Sequence, residues 1–390
     1  MKVRLTLSSV AAAVIAFMLS LASSYAAPAA HYLITNNDVS PNSATFYQIL
    51  GNGELKQTAV VETRGTGVFG IGDVATKRVS ILDNRLGQCA FISDAGTVDV
   101  AGISIPALRA TGTFKAQSTD SAPFGMPLGN NGIFLYAGFT GSNTLATYRI
   151  LRDCKLEFIQ DVSASGLFGG ILGRILDFSV HKNILVASFA DGSIESFNIS
   201  AGVPVSNGDE QFSTGNLQNG NLPAGVDITS DGHFAIFGGT NVPPVVEVSD
   251  ISSGKLEPTV VNSNLGNGGS PAAIWLSPDE SLLYLSNFSP STVTAAFFDK
   301  TTGAVTFGCI SPTLRGPFNF AAGLATAARR ETSSTILFVA EPEVDIGIVR
   351  VHATSENCSL SETPRSPVRD SQESSQGTLE SIGVFPPRSF

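Results

Sequence analysis

Four side chains of this sequence could form a site for a small molecule: Arg174, Asp177, Asp227 and Trp275. The Arg174 guanidinium could polarise the carbonyl of a bound lactone and stabilise the oxyanion that forms on hydrolysis. Either Asp177 or Asp227 could then activate a water molecule. Hydrolysis of a sugar lactone or a related lactone is therefore one activity that these residues suggest, with all three as candidate catalytic residues.

The two aspartates also have a purely structural interpretation. Aligned copies of a sequence repeat place Asp177, Asp227 and Trp275 at one position of a strand near the axis of the predicted fold. Polar and aromatic groups at such a position could line a pocket that binds a small ligand or ion, together with Arg174. Alternatively, the carboxylates satisfy backbone N–H donors between neighbouring units, because buried carboxylates must be paired. We favour the second interpretation and keep the first as its alternative.

Other signatures of catalysis are missing from the sequence. The histidines are expected in solvated turns or on the surface rather than as catalytic bases, and they are His31, His181, His233 and His352. No GxSxG nucleophile motif is present. The glycine-rich runs at 166–173 and 264–270 lack the Lys-Ser/Thr ending of a phosphate loop. We therefore expect no cofactor and no metal.

A repeat of about forty-five residues organises the chain. Residues 222–240 read LPAGVDITSDGHFAIFGGT and residues 270–288 read SPAAIWLSPDESLLYLSNF, each with two apolar runs around a turn. Units of four short strands recur near residues 32–63, 68–115, 122–166, 173–213, 222–266, 270–316 and 320–362. Seven such units predict an all-β, seven-bladed β-propeller, because a blade buries both faces only when its neighbours stack on it. We expect residues 27–390 to form this single domain.

The first unit lacks an innermost strand, and the end of the chain could supply it. Residues 381–386 align with residues 273–278 of the sixth unit. We therefore expect a strand near residues 379–386 to close the ring in blade one, carried there by a polar loop at about 361–377. A disordered tail is the alternative, but an open ring would leave two exposed sheet edges.

The N-terminus indicates export. Lys2 and Arg4 precede an apolar stretch and a small-residue site ending at Ala26, so residues 1–26 are predicted to be a cleaved signal peptide. The mature chain has 21 basic and 33 acidic residues, a formal charge of −12. This charge disfavours nucleic acid as a partner. No later stretch approaches the ~20 apolar residues of a membrane span. We expect a secreted or periplasmic monomer.

Four cysteines remain after cleavage: Cys89, Cys154, Cys309 and Cys358. An even number in an exported chain favours two disulfides, and three connectivities are possible. The strand pattern places Cys154 and Cys358 at the start of outermost strands, and Cys89 and Cys309 on outer strands of the preceding blades. This register suggests Cys89 with Cys154 and Cys309 with Cys358, each pair joining adjacent blades.

The repeat resembles a known family. Residues 32–37 (YLITNN), residues 282–287 (LLYLSN) and the Ser-Pro-Asp turn at 277–279 are similar to the YVTN-repeat, seven-bladed lactonase family, which includes 6-phosphogluconolactonase-like proteins. The resemblance covers nearly all of the mature chain and implies the propeller fold. It also implies a Pro-Arg-His or Pro-His step at the start of certain inner strands, which would place a cation and an imidazole at the channel mouth.

This chain departs from that step. The matching residues are Pro271-Ala272-Ala273 and Pro223-Ala224-Gly225, and in blade four Arg174-Ile175 keeps only an arginine. We therefore expect an extracytoplasmic module that binds an unidentified small molecule or protein, with the catalytic positions of the family largely lost. A lactonase and a structural cell-surface protein are the alternatives. The long loops around 107–125 and 205–221 are candidate contact surfaces.

Overall fold

A computed structural model describes the chain over the ranges 31–51, 53–67, 77–117, 128–129, 132–170, 172–212, 222–240, 244–262, 265–266, 269–287, 291–314, 324–328, 335–341, 345–353, 357–369 and 381–387. The predicted signal peptide at 1–26 lies outside these residues. No helix in the described part of the chain is long and apolar enough to cross a membrane.

The strands form seven antiparallel sheets, and each sheet is one blade of a β-propeller. Blade 1 contains β1 (Tyr32–Asn36), β2 (Ser43–Ile49), β3 (Leu55–Glu62) and β30 (Ser381–Phe385); blade 2 contains β4 (Val79–Asn84), β5 (Gly87–Asp94), β6 (Asp99–Ser104) and β7 (Arg109–Lys115). Blade 3 contains β8 (Leu128–Gly129), β9 (Phe134–Phe139), β10 (Thr144–Ile150) and β11 (Leu156–Ser163), with a 3₁₀ turn at Arg152–Cys154.

The remaining four blades follow the same plan. Blade 4 contains β12 (Ile175–His181), β13 (Ile184–Phe189), β14 (Ser193–Asn198), β15 (Val205–Ser206) and β16 (Gln211–Phe212); blade 5 contains β17 (Pro223–Ile228), β18 (Phe234–Gly239), β19 (Val245–Asp250) and β20 (Val260–Asn262). Blade 6 contains β21 (Pro271–Leu276), β22 (Leu282–Asn287), β23 (Thr292–Asp299) and β24 (Ala304–Ile310); blade 7 contains β25 (Leu324–Ala328), β26 (Thr335–Glu341), β27 (Asp345–Ala353), β28 (Cys358–Glu362) and β29 (Val368–Arg369). The predicted all-β, seven-bladed fold is confirmed.

The hydrophobic core lies between the blades. Seven apolar clusters occur among the described residues, and each combines side chains of two adjacent blades. The second strands are covered on both faces, as in β13, where all six residues are buried. Outer strands are more exposed, as in β3, where only one of eight residues is buried. The apolar runs that define the repeat are therefore the strands that pack between the two neighbouring blades.

The C-terminal strand closes the ring, as predicted. β30 pairs with β1 over five residues, from Tyr32 opposite Phe385 to Asn36 opposite Ser381. The Ser381 hydroxyl also accepts a hydrogen bond from the Val79 backbone N–H of blade 2, at 3.1 Å. Within the segment expected to be a loop at 361–377, however, β28 extends to Glu362 and β29 pairs with β27. Part of that connection is therefore strand.

Both predicted disulfides are present. Cys89 bonds Cys154 and Cys309 bonds Cys358, with Cα atoms 5.4 and 5.5 Å apart. They join blade 2 to blade 3 and blade 6 to blade 7. Cys89 lies on β5, the second strand of blade 2, rather than on an outer strand as expected. The 3₁₀ turn before β11 carries Cys154 inward to it.

Candidate functional site

The candidate site residues lie on, or immediately before, the innermost strands of blades 4 to 6. We term the side of the ring at which innermost strands begin the upper face. Because alternate strands reverse direction, the turns between second and third strands also lie on this face. Arg174 immediately precedes β12, and Asp177, Asp227 and Trp275 lie within β12, β17 and β21. These strands face the centre of the ring.

Asp177 is a buried carboxylate that joins two blades, with 3% of its surface exposed. Its Oδ1 accepts a hydrogen bond from the Phe178 N–H at 2.8 Å, and its Oδ2 accepts one from the Val226 N–H of blade 5 at 2.7 Å. Burial raises the pKa of Asp177, whereas the Lys77 ammonium and these two N–H donors oppose the increase.

Lys77 is a site residue that the sequence analysis missed. It precedes β4 of blade 2, yet its Nζ lies 3.0 Å from Asp177 Oδ2 in blade 4. The same ammonium donates to the carbonyl oxygens of Phe178 and Val226. Blade 2 is adjacent to neither blade 4 nor blade 5, so this side chain crosses the centre of the ring. Nothing in the sequence around a single lysine signals such a contact, because it depends on ring closure.

Asp227 repeats the role of Asp177 one blade further on. Its Oδ1 accepts from the Ile228 N–H at 2.9 Å, and its Oδ2 accepts from the Leu276 N–H of blade 6 at 3.0 Å. In blade 6, Trp275 donates through Nε1 to the Thr326 hydroxyl of blade 7 at 3.1 Å. Each of the three side chains thus bonds the innermost strand of the next blade. The two aspartates accept backbone N–H groups there, whereas Trp275 donates to a side-chain hydroxyl.

The strand register corrects the alignment of these three residues. Asp227 and Trp275 lie at the same height along the axis of the ring, because their cross-strand partners, Ile236 and Tyr284, occupy equivalent positions in the second strands of blades 5 and 6. Asp177 pairs with Ser188 instead, which places it two residues nearer the upper face, at the level of Gly225.

The cause is the length of the first hairpin turn. Blade 4 uses a two-residue turn between His181 and Ile184, with Lys182 at φ +48°. Blade 5 uses a four-residue loop closed by the hydrogen bond from the Thr229 N–H to the Phe234 carbonyl. The innermost strands of blades 4 and 5 are therefore offset by two residues relative to their sequence alignment. Because side chains alternate between the two faces of a strand, an offset of two leaves every side chain on the same face.

The same register moves Arg174. Its carbonyl accepts a hydrogen bond from the Ala190 N–H, as the Leu222 carbonyl does from the Thr240 N–H. Arg174 is therefore equivalent to Leu222, not to Ala224 as the sequence alignment suggested. The side chain is half-buried. Within the described ranges, no side chain or carbonyl pairs with its guanidinium.

The histidines follow their expected positions only in part. His233 is exposed in a turn, with Nδ1 3.6 Å from Asp231 Oδ2. His181 ends β12 and is buried, so the expectation of a solvated histidine was wrong there. Burial lowers the pKa of His181. His31 is half-buried beside blade 1, and His352 lies on β27, with its side chain outside the described part.

A second carboxyl group pair lies between blades 1 and 2 and was not anticipated. Asp94 and Asp99 are both buried and stand directly opposite each other on β5 and β6. Asn42 and Thr63 of blade 1 donate to Asp94 Oδ1 at 2.8 and 2.6 Å. Burial raises the pKa of Asp94 to about 8, and it also raises the pKa of Asp99. Burial therefore favours the protonated form of both carboxyl groups.

Metal binding has no support in this part of the chain. Among the described residues, no group of three or more His, Cys, Asp or Glu side chains could hold a metal ion. The aspartates of the innermost strands accept backbone N–H groups rather than facing one another.

Comparison with known proteins identifies the fold. No family model matches the chain, and no curated protein matches it. The structure is similar to that of a proposed 6-phosphogluconolactonase from Bacteroides fragilis, at 16% identity and a TM-score of 0.65, covering 92% of this chain and 99% of that one.

Two further structures agree with this result. A protein from Lactobacillus plantarum is 15% identical, with a TM-score of 0.65 over 91% of this chain and 99% of its own. The periplasmic gluconolactonase of Pseudomonas aeruginosa is 15% identical, with a TM-score of 0.52 over 71% of this chain and 80% of its own. These likenesses show that the seven-bladed β-propeller is the fold of this chain.

Proposed function

We propose that this propeller is an extracytoplasmic binding module that holds a small anionic ligand at the upper face through Arg174 and does not hydrolyse lactones. One observation supports this most. Both oxygens of Asp177 and both oxygens of Asp227 accept backbone N–H groups, while the Arg174 guanidinium has no partner among the described residues. The carboxylates stabilise the ring, and the cation is left to bind a ligand.

Burial of the aspartates speaks against hydrolysis. A general base needs a carboxylate within hydrogen-bond reach of the attacking water. Asp177 and Asp227 are only 3% and 8% exposed, and their oxygens already bond backbone N–H groups of two blades, so water has little access to them. At Gly225, moreover, an added Cβ would lie 2.8 Å from the Ile274 backbone nitrogen, so an imidazole does not fit at this position unless the innermost strand of blade 6 shifts.

Arginine suits a carboxylate ligand. The planar guanidinium forms two parallel hydrogen bonds to a carboxylate, which fixes the orientation of the ligand as well as its charge. A single half-buried arginine gives weak binding, so we expect dissociation constants in the millimolar range. The names of two structural neighbours, a 6-phosphogluconolactonase and a gluconolactonase, suggest sugar acids among the first ligands to test.

An extracytoplasmic location is part of the proposal. Two disulfides join neighbouring blades, and disulfides persist in oxidising compartments. The signal-peptide pattern at 1–26 and the periplasmic gluconolactonase among the structural neighbours agree with export. Phosphorylated intracellular sugars would not reach such a protein, so unphosphorylated acids are the relevant class.

The test is calorimetric titration of the mature protein with D-gluconate and with butyrate. We expect both to bind, and Arg174→Ala to abolish the binding. The matched control is Arg149→Ala, because Arg149 is an exposed arginine that pairs with the exposed Glu157 in blade 3. Binding that survives Arg174→Ala, or is lost equally in Arg149→Ala, contradicts the proposal.

A further inference from the structure

Four large apolar side chains are exposed on the upper face, where blade 3 connects to blade 4 and on β16 of blade 4. Leu167 is 45% exposed, Phe168 68%, Leu172 61% and Phe212 44%. The rings of Phe168 and Phe212 are in contact, with centroids 5.5 Å apart. Contiguous exposed apolar groups on a soluble protein mark a binding surface far more often than scattered ones do. We term these four residues the apolar patch.

Hydrogen bonds hold the apolar patch in place. The Gly166 N–H donates to the Gly173 carbonyl at 2.9 Å, which closes the loop that carries three of the four residues. The Phe168 N–H donates to Asp191 Oδ2 at 2.8 Å, and the Asn143 side chain donates to the Gly170 carbonyl at 2.7 Å. The loop backbone is thus fixed at both ends and in the middle, with its apolar side chains left in solvent.

The sequence of the loop serves this arrangement. An added Cβ at Gly166 would lie 2.4 Å from Asp191 Oδ1, so only glycine allows the loop to approach that carboxylate. Gly169 and Gly170 both have positive φ, at 61° and 54°, which glycine adopts without strain. The glycines permit the tight loop, and the leucine and phenylalanine between them have no partner in the described core clusters.

The apolar patch leads to Arg174. The loop connects β11, the outermost strand of blade 3, with β12, the innermost strand of blade 4, so it runs from the rim toward the centre of the ring. Leu172 is two residues from Arg174 in this connection. Phe212 joins the patch from β16, opposite Ser193 at the upper end of β14. The loop that carries three of the exposed apolar side chains is thus followed directly by the half-buried Arg174.

From this geometry we infer that the ligand held by Arg174 is an anionic amphiphile, whose carboxylate binds the guanidinium and whose alkyl chain lies on the apolar patch. The inference rests on the proposed function and names its ligand class. Charge complementarity selects the head group, and the exposed aromatic and aliphatic side chains select the tail. Lys77 is already engaged by Asp177 and two carbonyls, so Arg174 is the cation that the head group meets.

The test is calorimetric titration of the mature protein with butyrate, hexanoate, octanoate and decanoate, below their micelle concentrations. Each methylene that the apolar patch covers tightens the dissociation constant about fourfold. Phe168→Ser and Phe212→Ser are expected to flatten this dependence on chain length. The matched control is Phe307→Ser, since Phe307 is 43% exposed on blade 6, away from the patch, and its loss should leave the dependence on chain length as in the wild-type protein.

The head group is tested with decanol, which has the same tail without the charge. Decanoate should bind more tightly than decanol in the wild-type protein, and Arg174→Ala should abolish the difference. Binding of decanoate that depends on Phe168 but not on Arg174 contradicts both this inference and the proposed function. Arg174-dependent binding of gluconate and butyrate with no effect of chain length contradicts the inference alone.

A second copy of this chain is the remaining occupant to exclude. If two copies cover each other's patches, the protein will be a dimer by light scattering, Phe168→Ser will make it monomeric, and decanoate will not bind. That outcome overturns the inference. A monomer that binds decanoate with the chain-length dependence described above supports it.

Discussion

Lys77 Nζ lies 3.0 Å from Asp177 Oδ2, and this ion pair crosses the centre of the ring from blade 2 to blade 4. Both side chains are largely shielded from solvent, with 16% and 4% exposed. The ammonium also donates to carbonyls of blades 4 and 5, so one residue stabilises the positions of three blades. The polar centre of this ring therefore contributes to its stability.

Lys77→Met should destabilise the protein by about 3 kcal/mol, because the change leaves a buried carboxylate without its cation. The matched control is Arg149→Met, which breaks the exposed pair with Glu157 and should cost less than about 1 kcal/mol. Urea denaturation measures both. The double variant Lys77→Met with Asp177→Asn should recover part of the loss. Equal costs for Lys77→Met and Arg149→Met would show that the central pair has no special role.

Asp227→Ala should destabilise the interface of blades 5 and 6, because it leaves the N–H groups of Ile228 and Leu276 without this acceptor. The expected cost is about 2 to 4 kcal/mol. Asp227→Asn keeps one acceptor oxygen and should lie between the wild-type protein and the alanine variant. Thermal or urea denaturation gives the order, and a stable Asp227→Ala protein would refute the structural role of this carboxylate.

Stability should fall as pH rises toward 8. The folded state keeps the proton of Asp94, whose pKa is about 8, and the unfolded state releases it near 3.8. Because the folded state binds more protons in this window, the free energy of unfolding decreases by up to about 1.4 kcal/mol per pH unit. Urea titrations at pH 7 and 8 measure this slope.

Asp94→Asn is the control for that slope, since asparagine does not titrate and retains an acceptor for Asn42 or Thr63. The window above pH 7 also avoids His181, whose lowered pKa acts in the opposite direction. At His181 the unfolded state binds the extra proton, so this histidine lowers stability as the pH drops below about 6.5. An unchanged slope in Asp94→Asn would assign the pH dependence to other groups.

Removal of either disulfide should lower stability substantially. The bonds close segments of 65 and 49 residues, so the loop-entropy relation gives about 4 kcal/mol for each. The variants are Cys89→Ala with Cys154→Ala, and Cys309→Ala with Cys358→Ala. Denaturation midpoints should fall in both. A pair whose loss leaves the midpoint unchanged is not needed to hold its two blades together.

Sequence patterns predicted the ring because the fold repeats. Apolar runs and turns recur in each unit, and the alignment of residues 381–386 with an inner strand correctly placed β30 in blade 1. Both cysteine pairings followed from the same register. These features depend on local strand order, which a repeat displays directly.

The centre of the ring was less predictable. The level of Asp177 depends on a two-residue turn at Lys182, and sequence length alone does not distinguish this turn from the four-residue loops of blades 5 and 6. Lys77 contacts residues 100 and 149 positions away, and only the closed ring brings them together. The burial of His181 arises from the turn of the next blade, where Gly232 packs against its imidazole.

The measurement that most directly tests the central claim is proton release from D-glucono-1,5-lactone and from an acyl lactone, with the mature protein and with Arg174→Ala, Asp177→Asn and Asp227→Asn. We predict no turnover above the buffer rate in any of the four, because both aspartates are buried and bond backbone N–H groups of neighbouring blades. Turnover by the wild-type protein that disappears in Arg174→Ala and in either aspartate variant would contradict it and establish a lactonase.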